Sequence, residues 1–268
     1  MPLKVVLYFS CHRFSFGNHE SHLAVETSPG RSGRFAAARR AADGARASDF
    51  AGVERDLEGA ATALGNVDGL VVTVPYKARA AAFATRLGKT ATAIGAVNAL
   101  RRERDGRWTG DMFDGVGFVR GAERKGHAVK GRKVALFGAG GAGSAIGCEL
   151  VAAGAASLAI VDPAHERADA LAARLVRAFP GVPIAAAAAM PPGVDMVVNA
   201  STIGMREGDG LPADLGALDP GTLVGDVINA DAPSPMIRHA MRHGCPYVTG
   251  REMFEGQADA LMAFFGPH

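Results

Sequence analysis

Lys133-Val-Ala-Leu-Phe137 runs directly into Gly138-Ala-Gly-Gly-Ala-Gly143, and these residues decide the fold of the chain. The apolar run has the length of a buried strand, and the glycines have the spacing G-x-G-x-x-G. Ser144 to Ala153 follows with a pattern typical of a helix. A strand, a glycine turn and a helix in this order predict the opening of a βαβ unit.

The residues that follow continue the alternation of strands and helices. Leu158–Val161, Met196–Asn199 and Leu223–Asp226 are short apolar runs that predict strands. Asp169–Phe179 has the periodicity of a helix, and Gly181–Gly193 predicts a loop with one edge strand. Strands that alternate with helices predict a parallel, doubly wound sheet of the Rossmann type.

Another α/β-like region precedes the glycine turn. Val5–Phe9 and Gly69–Val74 predict strands, and Phe50–Leu64 predicts a helix between them. Ser10–Phe35 shows little apolar periodicity. The last segment, Glu252–Phe265, predicts an apolar helix. The predicted fold class is therefore α/β, with an N-terminal α/β domain and a Rossmann-type domain.

The composition excludes several classes of protein. The chain has 268 residues, a net charge of +2, 48% hydrophobic and 21% charged residues, as globular proteins commonly have. So small a net charge gives no indication of nucleic-acid binding. The apolar runs are too short to span a membrane. We therefore predict a small-molecule ligand and neither a nucleic-acid nor a membrane partner, and a homodimer stays open.

Cysteine and histidine positions argue against disulfides and metals. The three cysteines lie far apart and match neither a disulfide nor a metal spacing, so we expect a reducing, cytoplasmic setting. The paired histidines lack an obvious third ligand, and we predict no metal. These residues are Cys11, Cys148 and Cys245, and His19 with His22 and His239 with His243.

The glycine turn predicts a dinucleotide site. Gly138 permits the tight turn, Gly140 lets the backbone approach a pyrophosphate, and Gly143 allows close packing. The start of the helix offers free N–H groups and a partial positive charge to phosphates. Asp162 ends the next strand, where a carboxylate accepts hydrogen bonds from ribose hydroxyls and repels a 2′-phosphate. We therefore favour NAD over NADP, although His165 and Arg167 lie nearby; the alternative is a structural glycine turn and an aspartate turn.

Further motifs appear in a fixed order from residue 66 to residue 265. They are Thr73-Val-Pro-Tyr-Lys77, Ile94-Gly-Ala-Val-Asn98, Asp114 with Gly117 and Phe118, Gly138 to Ala142, Asn199-Ala-Ser-Thr-Ile-Gly-Met205 and Gly250-Arg-Glu-Met-Phe-Glu-Gly-Gln257. They resemble T-x-P-x-K, A-I-G-A-V-N, D-x-x-G-F, G-A-G-G-A, N-A-[ST]-x-x-G-M and G-x-x-M-L-x-x-Q of the shikimate/quinate dehydrogenase family. So many motifs in one order make coincidence improbable.

The resemblance implies an enzyme of two domains with the active site in the cleft between them. It implies that Lys77 and Asp114 form the catalytic pair, and that Thr73, Asn98 and Gln257 contact the hydroxyls of the substrate. The predicted cofactor-binding residues are Gly138, Gly140, Gly141, Ala142, Gly143, Asp162, Asn199 and Ser201.

The domain boundaries follow from the same resemblance. Residues 1–113, completed by C-terminal helices in 236–268, are predicted to form the substrate-binding domain. Residues 114–235 are predicted to bind the dinucleotide. The function implied is hydride transfer between NAD and a hydroxylated cyclohexane or cyclohexene carboxylate, such as shikimate, quinate or a relative.

The proposed pair suits the chemistry independently. Oxidation of an alcohol removes a hydride from carbon and a proton from oxygen, so a side chain must take that proton. A lysine held by a carboxylate in a partly dry cleft performs this role and stabilises negative charge on oxygen. The sequence leaves open which of the two transfers the proton.

Each candidate also has a purely structural explanation. A lysine after a proline turn is usually a solvated loop residue, and an Asp-Gly pair is usually a turn. The structural alternative for Gln257 is an exposed polar residue of an amphipathic helix. The structural alternative for Asn98 is a residue that caps or ends local structure.

Some positions depart from the pattern of the family. Val71 and Asn229 replace an asparagine and a tyrosine, Met112 and Phe113 replace Asn-Thr, and Asp162 replaces the asparagine that opens an NADP-reading segment. The serine pair expected near the N-terminus has no clear equivalent. These departures favour an NAD-using paralogue. Two alternatives stay open: a non-catalytic NAD-binding paralogue with a degraded substrate site, and an enzyme resembling methylenetetrahydrofolate dehydrogenase.

Overall fold

The computed structural model describes residues 5–11, 20–26, 68–72 and 76–266, the first two ranges as backbone only. Within it the chain forms two compact units. The first comprises Met1–Met112 with Leu261–His268, and the second comprises Phe113–Ala260. The boundary near the C-terminus falls inside the last helix. Elements are numbered below in the order in which the described residues contain them.

The first unit contains a mixed sheet with two short helices. Its sheet has the order β2-β1-β3-β5-β6-β4, in which β3 is parallel to β1 and antiparallel to β5. The strands are β1 (Val5–Cys11), β2 (Glu20–Glu26), β3 (Gly69–Val72), β4 (Arg86–Leu87), β5 (Ala99–Arg102) and β6 (Trp108–Asp111). The helices are α1 (Lys77–Phe83) and α2 (Lys89–Ile94).

The core of the first unit forms where α1 and α2 meet the sheet. Leu70, Val72, Leu100 and Trp108 from the strands pack with alanines of both helices, Ala80 and Ala91 among them. Small side chains on the helices allow this close approach. Val72 N–H donates to the Asn98 carbonyl (2.7 Å), which joins the end of β3 to the residue before β5.

The N-terminal strands differ in how well the sequence predicted them. β1 and β3 are confirmed within the described residues. β2, an edge strand, was not predicted, because its apolar residues are consecutive and do not alternate. It forms through antiparallel pairing with β1, which is a tertiary effect. The helix predicted at Phe50–Leu64 lies outside the described residues.

The second unit contains a fully parallel sheet of the order β12-β11-β10-β7-β8-β9. The strands are β7 (Lys133–Phe137), β8 (Ser157–Val161), β9 (Ile184–Ala186), β10 (Met196–Asn199), β11 (Leu223–Asp226) and β12 (Tyr247–Val248). The helices are α3 (Asp114–Arg124), α4 (Gly141–Ala152), α5 (His165–Ala178), α6 (Pro235–Arg242) and α7 (Gly250–Phe265).

This topology confirms the predicted doubly wound sheet and its edge strand β9. The strand order reverses between β7 and β10, and ligands of such sheets bind at the carboxyl ends of the strands beside that reversal. Glycines permit the packing that surrounds it. A Cβ at Gly115 of α3 would lie 2.3 Å from the Ala145 carbonyl oxygen of α4, and one at Gly225 of β11 would lie 2.4 Å from the ring of Phe118.

Candidate functional site

The glycine turn has the geometry that a dinucleotide site needs. Gly138 has φ +99°, which favours glycine, and a Cβ there would meet the backbone of Ala200 and Ser201 at 2.9 Å. A Cβ at Gly143 would lie 1.9 Å from the Gly138 carbonyl oxygen, so this residue packs against the turn itself. At Gly140 a Cβ would meet nothing within 4 Å. The space beside Gly140 is therefore open within the described part of the chain.

Helix α4 begins directly at this turn. Its first residues are Gly141, Ala142 and Gly143, and its N-cap, Gly140, has no side chain to cap it. Ser144 N–H is the donor to the Gly140 carbonyl (2.8 Å), so the preceding N–H groups stand at the start of the helix, where anions bind. The open space at Gly140 and these N–H groups fit a pyrophosphate.

A cavity of about 290 Å³ lies beside the turn, at the carboxyl ends of β7, β8 and β10. Gly138, Asp162, His165 and Ser201 contribute to its lining. Apolar side chains complete the wall, among them Val161, Ile203 and Pro212.

Asp162 holds the glycine turn and faces the cavity. One carboxylate oxygen accepts the Ala139 N–H (2.8 Å), and the other accepts the Ala164 N–H (2.9 Å) and lies 3.2 Å from Arg167 Nη2. Asp162 is buried, whereas the Arg167 side chain is largely exposed. Since each carboxylate oxygen accepts two hydrogen bonds, the first oxygen can also accept one from a ribose hydroxyl.

Asn199 organises the loop that follows β10. Its amide nitrogen donates to the Ile203 carbonyl (3.0 Å) and to Asp226 (3.1 Å). Its amide oxygen accepts from the backbone and hydroxyl of Ser201 (3.1 and 2.7 Å). These bonds use the full capacity of the amide. Asn199 therefore shapes the loop, and Ser201 is the member of the pair that lines the cavity.

Asp226 is a buried carboxylate that the predicted site did not include. It ends β11 and accepts hydrogen bonds from Asn199, from the Ile228 N–H and from the Ser234 hydroxyl. Burial raises its pKa to about 6, against the opposing effect of these donors. The sequence contained a signal for this residue. Asp226 ends a predicted strand, and Ser234-Pro235 is a typical start of a helix soon after it.

Asp114 is the first residue of α3. It is 2% exposed and lies within the helix, so Asp114 and Gly115 do not form the Asp-Gly turn considered as the alternative. The helix dipole stabilises a carboxylate at this end. The Gly117 N–H donates to the Phe113 carbonyl (2.8 Å) and begins the hydrogen bonding of the helix.

Gln257 belongs to α7 and is 5% exposed, so it is not a solvated residue of an amphipathic face. Gly117 brings α3 against it: a Cβ at Gly117 would lie 2.8 Å from Gln257 Cβ. Gln257 therefore lies beside α3 in the second unit, next to a residue that is less than one helical turn from Asp114.

Lys77 and Asn98 lie side by side in the first unit. Lys77 is buried and begins α1, whereas we expected it in a loop and considered a solvated role; burial excludes that role. The Lys77 carbonyl accepts the Val97 N–H (3.0 Å), which places the residue before Asn98 against it. Asn98 is 2% exposed. Thr73 lies outside the described residues.

Buried polar side chains are few in the described chain, and they include most of the polar side chains of the predicted site. Polar and charged side chains are rarely buried in globular proteins, which gives this coincidence its weight. The predicted members are Lys77, Asn98, Asp114, Asp162, Asn199 and Gln257. The others are Ser144, Thr222, Asp226, Ser234 and His239.

The histidine pair on α6 has protein partners. His239 Nε2 lies 3.1 Å from the Gly216 carbonyl oxygen, and His243 Nδ1 lies 2.9 Å from the His239 carbonyl oxygen. Across the ranges that the structure describes, His, Cys, Asp and Glu do not gather in groups of three that could hold a metal. None of the helices described there has the length and apolar character needed to cross a bilayer.

A doubly wound sheet with a glycine turn, an acidic residue at the end of the next strand and buried lysine and aspartate residues defines a dinucleotide-dependent dehydrogenase of α/β architecture. A family model described as the shikimate dehydrogenase substrate binding domain matches residues 33–100. The chain belongs to the shikimate dehydrogenase family, as its relatives show.

Two curated relatives carry this assignment. A shikimate dehydrogenase (NADP(+)) of Rubrobacter xylanophilus is 38% identical over 192 residues, which are 69% of this chain and 66% of that protein. One of Symbiobacterium thermophilum is 35% identical over 210 residues, covering 74% of this chain and 70% of that protein. The chain thus spans about two thirds of the length of the curated relatives it matches.

A solved structure agrees with these relatives. Quinate dehydrogenase from Corynebacterium glutamicum, in complex with NAD, is 32% identical, with a TM-score of 0.69 over 78% of this chain and 76% of that one. The predicted family, fold class and enzyme class are confirmed: the relatives are oxidoreductases that act on a CH–OH group. The curated relatives are named for NADP(+), and the solved structure contains NAD. None of these relatives favours a non-catalytic paralogue or an enzyme resembling methylenetetrahydrofolate dehydrogenase.

Proposed function

We propose that this chain transfers a hydride between NAD and a ring carbinol of a hydroxylated cyclohexane or cyclohexene carboxylate, such as shikimate or quinate. One observation carries the proposal. Lys77 and Asp114, both ionisable, are buried at the positions where the family motifs have their catalytic pair. Lysine and aspartate are rarely buried in globular proteins, so the burial of both at these motif positions supports a function.

Each catalytic residue has a defined task in this proposal. The carbinol carbon loses a hydride and its hydroxyl loses a proton, so that a carbonyl forms. One member of the Lys77–Asp114 pair takes up this one proton, and the lysine stabilises negative charge on the oxygen. When bound, the nicotinamide ring supplies the hydride acceptor at its C4 position.

Substrate recognition is assigned to polar side chains. We propose that Thr73, Asn98 and Gln257 bind the ring hydroxyls. Asn98 and Gln257 are buried amides, and each amide group both donates and accepts, which suits hydroxyls. Residues 1–113 with the C-terminal helices of 236–268 would form the substrate-binding domain, and 114–235 the dinucleotide-binding domain.

The preference for NAD is proposed from Asp162. Its carboxylate faces the cavity and has remaining capacity to accept a hydrogen bond from a ribose hydroxyl. A 2′-phosphate at that place would meet like charge. Arg167 already lies against this carboxylate, so it is engaged by Asp162 and not held ready for a phosphate. The buried free cysteines, Cys148 and Cys245, support the proposal of a reducing, cytoplasmic setting.

The test is the absorbance of reduced nicotinamide with quinate and with shikimate, each with NAD and with NADP. We expect turnover with NAD to exceed turnover with NADP. Lys77→Met preserves the length and suits burial, and it should lower kcat by about 10³-fold. Lys89→Met is the matched control, since Lys89 is exposed in the same unit and should leave kcat unchanged.

The outcomes separate the possible functions. Turnover that survives Lys77→Met would overturn the role of the lysine. Absence of turnover with both acids, while NAD still binds in calorimetry, would overturn the proposed reaction and support the non-catalytic alternative. A higher kcat/KM with NADP than with NAD would overturn the cofactor preference alone.

A further inference from the structure

Helices α3 and α7 contact one another through glycines. A Cβ at Gly117 would lie 2.4 Å from the Met253 carbonyl oxygen, and one at Gly121 would lie 2.6 Å from the Glu252 carbonyl oxygen. From the other helix, a Cβ at Gly256 would lie 2.1 Å from the Gly117 carbonyl oxygen. All of these atoms are backbone atoms and cannot move aside as a flexible side chain would. The contact is therefore closed to any larger residue.

The two glycines of α3 share one face, because they are four residues apart. In most helix pairs, side chains lie between the two helices, and the helix axes are about 8–10 Å apart. Here backbone meets backbone, so the separation of the helices is fixed by the absence of side chains at Gly117, Gly121 and Gly256.

Polar contacts also join one end of α3 to α7. Arg124 donates to the Glu255 carbonyl (2.9 Å) and lies 3.3 Å from the Asp259 carboxylate. Lys125 lies 3.4 Å from Glu252. Exposed ion pairs contribute little to stability, so they orient a contact that the glycines have already determined.

Of the three glycines in this contact, Gly117 is the nearest to Asp114. It lies three residues after Asp114 on the same side of α3. A Cβ placed on Gly117 would be 2.8 Å from the Cβ of Gln257. Its contact with α7 therefore sets how far Gln257 lies from Asp114, within one unit of the chain.

We propose that Gly117 is a positioning residue, whose contact with α7 places Gln257 so that the ring acid is held correctly relative to Asp114. This inference rests on the proposed function, because it assigns Gln257 to the substrate and Asp114 to the proton. A shift of about 1 Å at such a site is enough to cost up to about 100-fold in rate.

Gly117→Ala and Gly121→Ala form a matched pair for the test. Both insert one methyl group into the same helix contact, against backbone atoms at similar distances, so we expect a similar loss of Tm. Only Gly117→Ala presses on Gln257. We expect it to raise the KM for the ring acid about tenfold or more, with the KM for NAD unchanged. Gly121→Ala should change the KM for the ring acid less than about threefold, because its Cβ meets the backbone of Glu252 and not Gln257.

Equal effects of the two variants on the KM for the ring acid would overturn the inference and leave the proposed function standing. A wild-type chain without turnover of either acid would overturn both. If Gly117→Ala does not fold, Gln257→Asn replaces it, because it withdraws the amide by one methylene and leaves the glycine contact intact. An unchanged KM for the ring acid in Gln257→Asn would overturn the inference equally.

Discussion

The Ser234 hydroxyl donates a hydrogen bond to the Asp226 carboxylate over 2.6 Å, and both residues are buried. The same hydroxyl oxygen accepts the Ile237 N–H (3.2 Å) as the N-cap of α6. The other oxygen of Asp226 accepts from Asn199 and from Ile228 N–H, each at 3.1 Å. One carboxylate thus joins the ends of β10 and β11 to the start of α6.

Asp226 predicts a dependence of stability on pH. Its pKa is raised from 3.8 to about 6 in the folded chain, so between these values the folded state binds more protons than the unfolded state. Its contribution to the free energy of unfolding is therefore full below pH 3.8 and is lost as the pH rises through about 6. We expect the free energy of unfolding of wild type, minus that of Asp226→Asn, to fall by up to about 3 kcal/mol from pH 4 to pH 7.

Urea unfolding of both proteins over that pH range measures this difference. Asp209→Asn is a control of opposite sign. Donation from the backbone N–H groups of Arg206 and Gly204 lowers the pKa of Asp209, so its stabilising effect is lost as the pH falls. A pH-independent difference between wild type and Asp226→Asn would contradict the assignment.

Ser234→Ala should destabilise the chain by about 2–3 kcal/mol. It removes the cap of α6, which accounts for about 1 kcal/mol, and it takes one donor from a buried carboxylate, which adds about 1–2 kcal/mol. Ser234→Thr keeps the hydroxyl and should recover most of the loss. Denaturant unfolding near neutral pH is the measurement, and a loss below about 0.5 kcal/mol would show that the network is not coupled to stability.

Gly143→Ala and Gly140→Ala should separate stability from cofactor binding. A Cβ at Gly143 would lie 1.9 Å from a backbone oxygen, so we expect a loss of about 1–3 kcal/mol, seen as a lower Tm. A Cβ at Gly140 would meet nothing within 4 Å, so the only expected loss is that of a glycine N-cap, and Tm should fall much less than in Gly143→Ala. Calorimetry of Gly140→Ala should show a Kd for NAD raised about tenfold or more, which is at least about 1.4 kcal/mol. Tight binding of NAD by Gly140→Ala would exclude a pyrophosphate from this turn.

Asp162→Asn should move the chain towards NADP. Loss of the negative charge removes the repulsion of a 2′-phosphate and releases Arg167, so we expect the ratio of kcat/KM for NADP to that for NAD to rise about 10- to 100-fold. One backbone N–H loses its carboxylate acceptor, at a cost of about 1 kcal/mol in stability. Adding Arg167→Met should cancel the gain with NADP. An unchanged ratio in Asp162→Asn would mean that this carboxylate does not read the ribose.

The sequence predicted the Rossmann-type sheet closely because its strands are short apolar runs with sharp ends. β7 was predicted as Lys133–Phe137 and has those bounds, since Gly138 stops it. Helix α4 begins at Gly141, before the predicted Ser144, because Gly141 and Gly143 of the glycine turn form part of its first helical turn. The strand bounds could be predicted because they depend on residues that are close together in the sequence.

Tertiary effects explain what the sequence did not predict. Strand β2 depends on pairing with β1, and its own residues show no strand periodicity. Asp226 and Ser234 are eight residues apart and meet only because the chain turns after β11. Burial of Gln257 requires glycine on the facing helix, at Gly117, which no pattern around Gln257 itself could indicate.

The strand order of the parallel sheet has a consequence for biosynthesis. The chain builds β7, β8 and β9 outward in one direction and then returns to the opposite side of β7 with β10. As the protein leaves the ribosome, half of the sheet emerges while the other side of β7 still lacks its neighbour. Unpaired apolar edges invite association with other nascent chains. Until Met196–Asn199 has been translated, one edge of β7 therefore stays open to misassembly.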